Sequence, residues 1–164
     1  MTRIGLISDT HGWLDPQVFQ YFDTCDEVWH AGDFGSREVV DQLRKFKPLR
    51  GVWGNIDCPE IRAQFPEIAR FRIDETEVLM IHIGGYPGNY KPDAKKAFKE
   101  KMPHLFISGH SHILKIQYDE TLNCLHMNPG AAGRQGWHKQ RTLIRFDIEG
   151  AQMKNCEVIE LGKK

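Results

Sequence analysis

Arg3-Ile4-Gly5-Leu6-Ile7-Ser8-Asp9-Thr10-His11-Gly12 is an apolar run of strand length that stops abruptly at two side chains able to bind a metal. The same event recurs along the chain. The apolar stretch Glu27–Ala31 runs into Gly32-Asp33, and Leu49–Trp53 runs into Gly54-Asn55. Glu77–Ile83 carries His82 at its end, and Leu105–Ser108 runs into Gly109-His110-Ser111-His112. In open α/β sheets, ligands bind beyond the carboxyl ends of the strands, so five such endings can converge on one rim.

The intervening segments fit strand–helix–strand excursions. His11 to Asp33 and Asp33 to Asn55 are each 22 residues apart. Asp15-Pro16 predicts a helix start, with the helix running to about Phe22. Ser36 predicts a cap for a helix to about Phe46, whose Val39, Val40, Leu43 and Phe46 fall on one face. Phe71–Asp74 and Glu77–Ile83 read as a hairpin, Gly84–Pro92 as a loop, and Asp93–Lys101 as a polar helix, with the Lys-rich stretch from Lys91 to Lys101 a solvated helix face. Ile113–Tyr118, Leu122–Met127, Thr142–Ile148 and Gln152–Leu161 read as strands, with a glycine-rich loop from Asn128 to Lys139. Alternating elements early and strands late give an α/β sandwich. With no internal repeat and no linker, residues 1–164 are expected to form one domain.

The composition excludes several classes. Twenty-two basic and 22 acidic residues give zero formal net charge, so nothing in the overall charge favours non-specific binding to nucleic acid or acidic membranes. No apolar run reaches the ~20 residues of a membrane span. Asp9 and His11 interrupt any secretory h-region after Arg3. The four cysteines form no C-x-x-C pair, which speaks against a disulfide framework or a zinc ribbon. A cytoplasmic protein with free thiols is the expectation.

The donors at the strand ends are two Asp, one Asn and four His, with no thiolate. Such a set suits borderline divalent metals. It is too many for one tetrahedral ion and suits two ions if a carboxylate bridges. Asp9-x-His11 and His110-x-His112 would each place both side chains on one face if the strands continued. Glycine beside three of the donors fits tight turns that let backbone approach a site. Each piece alone has an ordinary alternative, such as turn chemistry at Gly54-Asn55; their order and placement together favour a site.

The ordered string Asp9-x-His11, Gly32-Asp33, Gly54-Asn55, His82 and Gly109-His110-x-His112 resembles the calcineurin-like metallophosphoesterase superfamily. The chain length and Asn128-Pro129-Gly130-Ala131 resemble its small YfcE-like phosphodiesterases. The match spans residues 4 to about 133. The resemblance implies a four-layer α/β/β/α sandwich with two mixed sheets. It implies two divalent metal ions, Mn²⁺ foremost and Fe, Ni, Co or Zn as alternatives. Asp9, His11 and His112 would hold one ion, Asn55, His82 and His110 the other, and Asp33 would bridge. The implied reaction is hydrolysis of a small phosphodiester or phosphoester, in some cases nucleotide-derived, by a metal-bridging hydroxide. Asp33 and Asn55 would be the catalytic residues, and Asn55 and Arg134 would touch substrate. The resemblance also allows a homodimer. A retromer subunit with the same small fold supplies the alternative, a non-catalytic protein-interaction scaffold; it departs from the full donor set, which is intact here.

One position departs from the wider family. Where many members have Gly-Asn-His, with the His a candidate leaving-group acid, this chain has Gly54-Asn55-Ile56. Ile56 cannot donate a proton, so the acid is left unassigned. Asp57 is expected either to orient a ligand histidine or to serve as a turn residue before Cys58-Pro59. Arg134 and His138 could reach phosphate or donate a proton, although a solvated loop is the ordinary expectation for both. His30 is expected to be buried and structural. Trp13, Trp53 and Trp137 could wall a cleft, while Trp29 belongs to a strand core.

Overall fold

The computed structural model describes Met1–Lys164. Strands β1 (Thr2–Ile7), β2 (Glu27–His30) and β3 (Leu49–Gly51) pair in parallel, joined by helices α1 (Gln17–Tyr21) and α2 (Arg37–Phe46). The late strands β11 (Gln140–Glu149) and β12 (Gln152–Lys163) complete this sheet in the order β12-β11-β1-β2-β3, with β11 antiparallel to β1. The second sheet has the order β4-β5-β8-β10-β9. It comprises β4 (Ile68–Ile73), β5 (Thr76–Ile81), β8 (Leu105–Ile107), β9 (Lys115–Asp119) and β10 (Cys124–Asn128). Its centre, β5-β8-β10, is parallel, and both its edges are antiparallel.

Strand alternation separates three apolar layers. Ile4, Leu6, Trp29, Val78, Met80, Leu105, Ile107, Ile144 and Phe146 meet between the two sheets. Ile7, Val28, Phe22, Val39, Val40 and Leu43 pack the first sheet against α1 and α2. Leu79, Ile81 and Phe106 turn the other way and cover α4 (Pro92–Glu100) through Ala94, Ala97 and Phe98. The result is helices outside and two mixed sheets inside, the expected four layers. Ser36 caps α2, its Oγ accepting from the Val39 N–H at 3.4 Å. All four cysteines are free. No helix is long and apolar enough to cross a membrane.

Three local expectations are corrected and one helix is added. Leu49–Trp53 is a strand only to Gly51, because Val52 to Gly54 turn toward the site. A short helix α3 (Pro59–Arg62) follows the Cys58 turn, with Pro59 at its first position. The glycine-rich loop 84–92 contains a small hairpin, β6 (Gly85–Tyr86) with β7 (Asn89–Tyr90). Strand β9 begins at Lys115, not Ile113, since His112 holds the preceding backbone in the left-handed region at φ 61°.

Burial keeps two histidines neutral. It lowers His30 to about 3 and His126 to about 4. His30 is structural as expected: its Nε2–H donates to Thr10 Oγ1, its Nδ1 accepts from the Gly32 N–H, and its ring stacks on Phe34. An unfolded histidine titrates near 6.5. Between pH 6.5 and 4 the unfolded chain therefore binds a proton that buried His126 refuses. Its contribution is complete above about pH 6.5 and declines as pH falls. At pH 5 the loss is about 2 kcal/mol. Urea titrations of wild type and His126→Gln should thus show a stability difference that shrinks by about 2 kcal/mol from pH 7 to pH 5. A constant difference would show that His126 is not held neutral.

Candidate metal centre

The loops after β1, β2, β3, β5 and β8 meet at one rim. They bring together two donor groups, Asp9 with His11 and His112, and Asp33 with His82 and His110; within each group the ligand atoms lie within 4.8 Å of one another. The local backbone is not the extended continuation expected for the two x-spaced pairs. Asp9, His11, Asp33, His110 and His112 have φ between 48 and 69°. Asp and His are among the few residues that tolerate this region, and such strain collects where function over-determines it. These five donors leave their strands in left-handed turns that aim the side chains at the rim.

Two glycines permit the close approach. A Cβ on Gly54 would collide with the Asp33 carboxylate and backbone nitrogen, and one on Gly109 would press on Ser8 Oγ and lie 2.9 Å from Asp9 Oδ2.

The hydrogen bonds fix which atom of each donor points inward. Asp9 Oδ2 accepts from Ser8 Oγ–H at 2.6 Å and from the His110 N–H at 3.1 Å. Its Oδ1 is buried without a partner. Around that oxygen lie His112 Nε2 at 3.2 Å, His11 Nε2 at 3.7 Å and His82 Nε2 at 3.8 Å. Asp33 Oδ1 accepts from the Ile56 N–H at 3.1 Å. Its Oδ2 lies 3.5 Å from His11 Nε2 and 3.2 Å from His82 Nε2, between the two groups. Asn55 Oδ1 sits 3.1 Å from both His82 Nε2 and His110 Nδ1.

Carbonyl oxygens decide the tautomers. His82 Nδ1–H donates to the Ala31 carbonyl at 2.7 Å, which leaves the Nε2 lone pair facing Asn55 and Asp33. His138 Nε2–H donates to the Gly133 carbonyl at 2.8 Å. Its Nδ1 then accepts from His112 Nδ1–H at 3.2 Å, and His112 presents a bare Nε2 to the bare Oδ1 of Asp9. Lone pairs aimed at carboxylate oxygens repel unless a cation stands between them. The donor set therefore fits divalent metal.

The electrostatics agree. Burial alone would raise Asp9, but the imidazoles of His11, His112 and His82 around it hold it far below the usual carboxylate range. Asp9 raises His11; His82 is raised too, since Asp33 and Asp9 outweigh its burial. Burial lowers His110.

Three expectations about surrounding residues change. Asp57 orients no histidine. Its buried carboxylate accepts from the backbone N–H groups of Gly54 (2.8 Å), Gly35 (2.9 Å) and Asp33 (3.1 Å), and so shapes the loops that carry two donors. His138 is not a solvated loop residue, because it holds His112. A histidine spaced 26 residues from the ring it touches gives no signal in sequence. His138→Ala is expected to weaken metal binding by about 10–100-fold, read by competition with a chelator, while the circular dichroism spectrum stays unchanged; unaltered affinity would reduce His138 to a packing residue. Arg134 is exposed, lies 4.1 Å above the Trp13 ring and bonds to none of the seven donors. Trp137 is 99% exposed and lines neither cavity beside the donors.

Two cavities flank the second donor group. One, of about 340 Å³, is lined by Trp53, Asn55, His82 and Lys91 among others. The other, of about 410 Å³, is reached past His110 and also contains Lys91. That lysine was expected only on a solvated helix face.

Comparison with known proteins points the same way. A probable metallophosphoesterase of Methanocaldococcus jannaschii is 31% identical over 134 residues, covering 78% of this chain and 67% of that protein. A structure described as a novel archaeal phosphodiesterase superposes with a TM-score of 0.76 at 22% identity, covering 97% of this chain and 99% of that one. Chaetomium thermophilum Vps29 has the same fold, with a TM-score of 0.76 at 16% identity and complete coverage of both chains. Residues 2–151 match the calcineurin-like phosphoesterase superfamily domain, so the chain that aims these seven donors at one rim belongs to that superfamily.

Proposed function

We propose that this protein is a cytoplasmic phosphodiesterase working with two divalent cations, Mn²⁺ foremost. Asp9, His11 and His112 would hold one, Asn55, His82 and His110 the other, and Asp33 would be shared. The observation that carries this reading is the pair of inward lone-pair clusters joined at Asp33 Oδ2. When bound, such ions supply Lewis-acid charge for phosphoryl oxygens and acidify water toward neutral pH.

The chain's own residues do the rest. Asn55 turns its Oδ1 toward two histidines, so its Nδ2 remains free to donate to a phosphoryl oxygen as charge builds there. Lys91 borders both cavities and adds positive charge beside the same phosphate. A phosphodiester has two substituents, and a cavity on each side of the second donor group gives each one a place. Ile56 beside Asn55 offers no proton, so activated esters with good leaving groups suit the site best. Each donor cluster is complete within one chain, so the mechanism requires no dimer. The free thiols support the cytoplasmic placement.

The test uses metal-stripped protein with bis-p-nitrophenyl phosphate and p-nitrophenyl phosphate, with and without Mn²⁺. Mn²⁺ should restore turnover of the diester well above that of the monoester. Preference for the monoester would make the protein a phosphomonoesterase. No turnover and no metal uptake would favour the scaffold, whose contact surface would then be sought at the exposed Ile113, Ile116 and Tyr118 beside edge strand β9.

A further inference from the structure

The two cavities differ in charge. The one beside Asn55 includes the carboxylates of Glu67 and Asp93 with Lys91. The one beside His110 contains Lys91 and Lys115 and no carboxylate. Lys115 lies along its wall with Nζ 4.7 Å from the Tyr86 ring centroid. Ser111 Oγ accepts from Asn128 Nδ2 at 3.1 Å and from the Ile113 N–H at 3.2 Å, which leaves its hydroxyl proton to donate. This lining offers two ammonium groups and a hydroxyl donor to an anion.

The floor offers the opposite. His126 is 1% exposed and borders this cavity. Its Nδ1–H donates to the Phe106 carbonyl at 3.2 Å, and its Nε2 has no partner. A buried lone pair without a donor is costly, and no residue of the chain satisfies it. It can accept from a ligand hydroxyl. A phosphorylated sugar is both anionic and hydroxylated, and about 410 Å³ is within the range of small-ligand sites.

Resting on the phosphodiesterase reading, we infer that the cavity beside His110 is a subsite for one arm of the diester, a phosphorylated sugar held by Lys115 and Lys91 with a sugar hydroxyl on His126. The substrate class is thus an asymmetric phosphodiester with a second phosphate on one arm. The other cavity, with its two carboxylates, takes the uncharged arm.

The probes are uridine 5′-(p-nitrophenyl phosphate) and the same ester bearing a 3′-phosphate, with the Mn²⁺-loaded protein. They share the scissile bond and the leaving group, so the ratio of their kcat/KM values reports the subsite. The 3′-phosphate should raise kcat/KM about tenfold, through KM. The ratio should fall toward one in Lys115→Gln and persist in Lys115→Arg. A wild-type ratio near one, or a ratio untouched by Lys115→Gln, overturns the inference. If neither ester is turned over, it is the phosphodiesterase reading that has failed. The subsite is then judged by calorimetric titration with uridine 3′-phosphate. Binding weakened about tenfold in Lys115→Gln upholds it; equal or absent binding overturns it.

Discussion

Under the proposed two-ion mechanism, Asp33→Asn should reduce Mn²⁺-dependent diester turnover by about 10³-fold or more and lower the metal content from two ions per chain to one or none. Losing an outer partner of a metal ligand costs about 10–100-fold, and removing one transition-state donor costs about 10²–10³. A shared carboxylate affects both ions and should exceed either. The substitution changes charge at constant size. Asp33 Oδ2 lies 3.2 Å from His82 Nε2 and 3.5 Å from His11 Nε2, one ring from each cluster. An amide brings either a neutral oxygen or an N–H to that point. Because Oδ1 also accepts from the Ile56 N–H, the amide cannot satisfy both sides with oxygen. Metal content by elemental analysis and turnover of bis-p-nitrophenyl phosphate read the two effects separately. Full activity with two ions bound would remove Asp33 from the shared position.

The largest expected effect on stability comes from a residue that touches none of the other six donors. Asp57→Ala strands the N–H groups of Asp33, Gly35 and Gly54 around a hole in a site where Asp57 is only 4% exposed. At about 1–3 kcal/mol for each of the three buried donors left unpaired, the loss is about 3–9 kcal/mol, a large part of the 5–15 kcal/mol typical of a domain. Asp57→Asn should lose about half as much. Its one oxygen can replace Oδ2, which serves Asp33 and Gly54, while its amide nitrogen meets the Gly35 N–H donor to donor. Urea titrations followed by circular dichroism and tryptophan fluorescence would measure both variants. A loss under about 1 kcal/mol for Asp57→Ala would show that water or backbone rearrangement replaces the carboxylate. Metal affinity should fall alongside stability, since the same three N–H groups set the turns that present Asp33 and Asn55.

The amino-acid sequence determined the layers and the rim. Apolar alternation in Ile4–Ile7, Val78–Ile81 and Leu105–Ile107 is a relation between near neighbours, and it dictates which side chains face the other sheet and which face helices. The donors at the strand ends are legible for the same reason: a strand that stops at Asp or His marks its own carboxyl end. The type of donor, oxygen and imidazole without thiolate, determined the kind of ion the site suits. What spacing could not supply is how those ends meet. Asp33 joins the two clusters because the β2 loop lies between those of β1 and β5, which belong to different sheets. Asp9 is locked by the backbone of His110, 101 residues away, and His138 reaches His112 across the loop that follows β10. Asp57 reads as a turn aspartate until the Asp33 and Gly35 amides are brought against it, and Lys91 as a surface lysine until two cavities open on either side. These roles arise from contacts between segments distant in sequence. Only the packing of one sheet on the other brings those segments together.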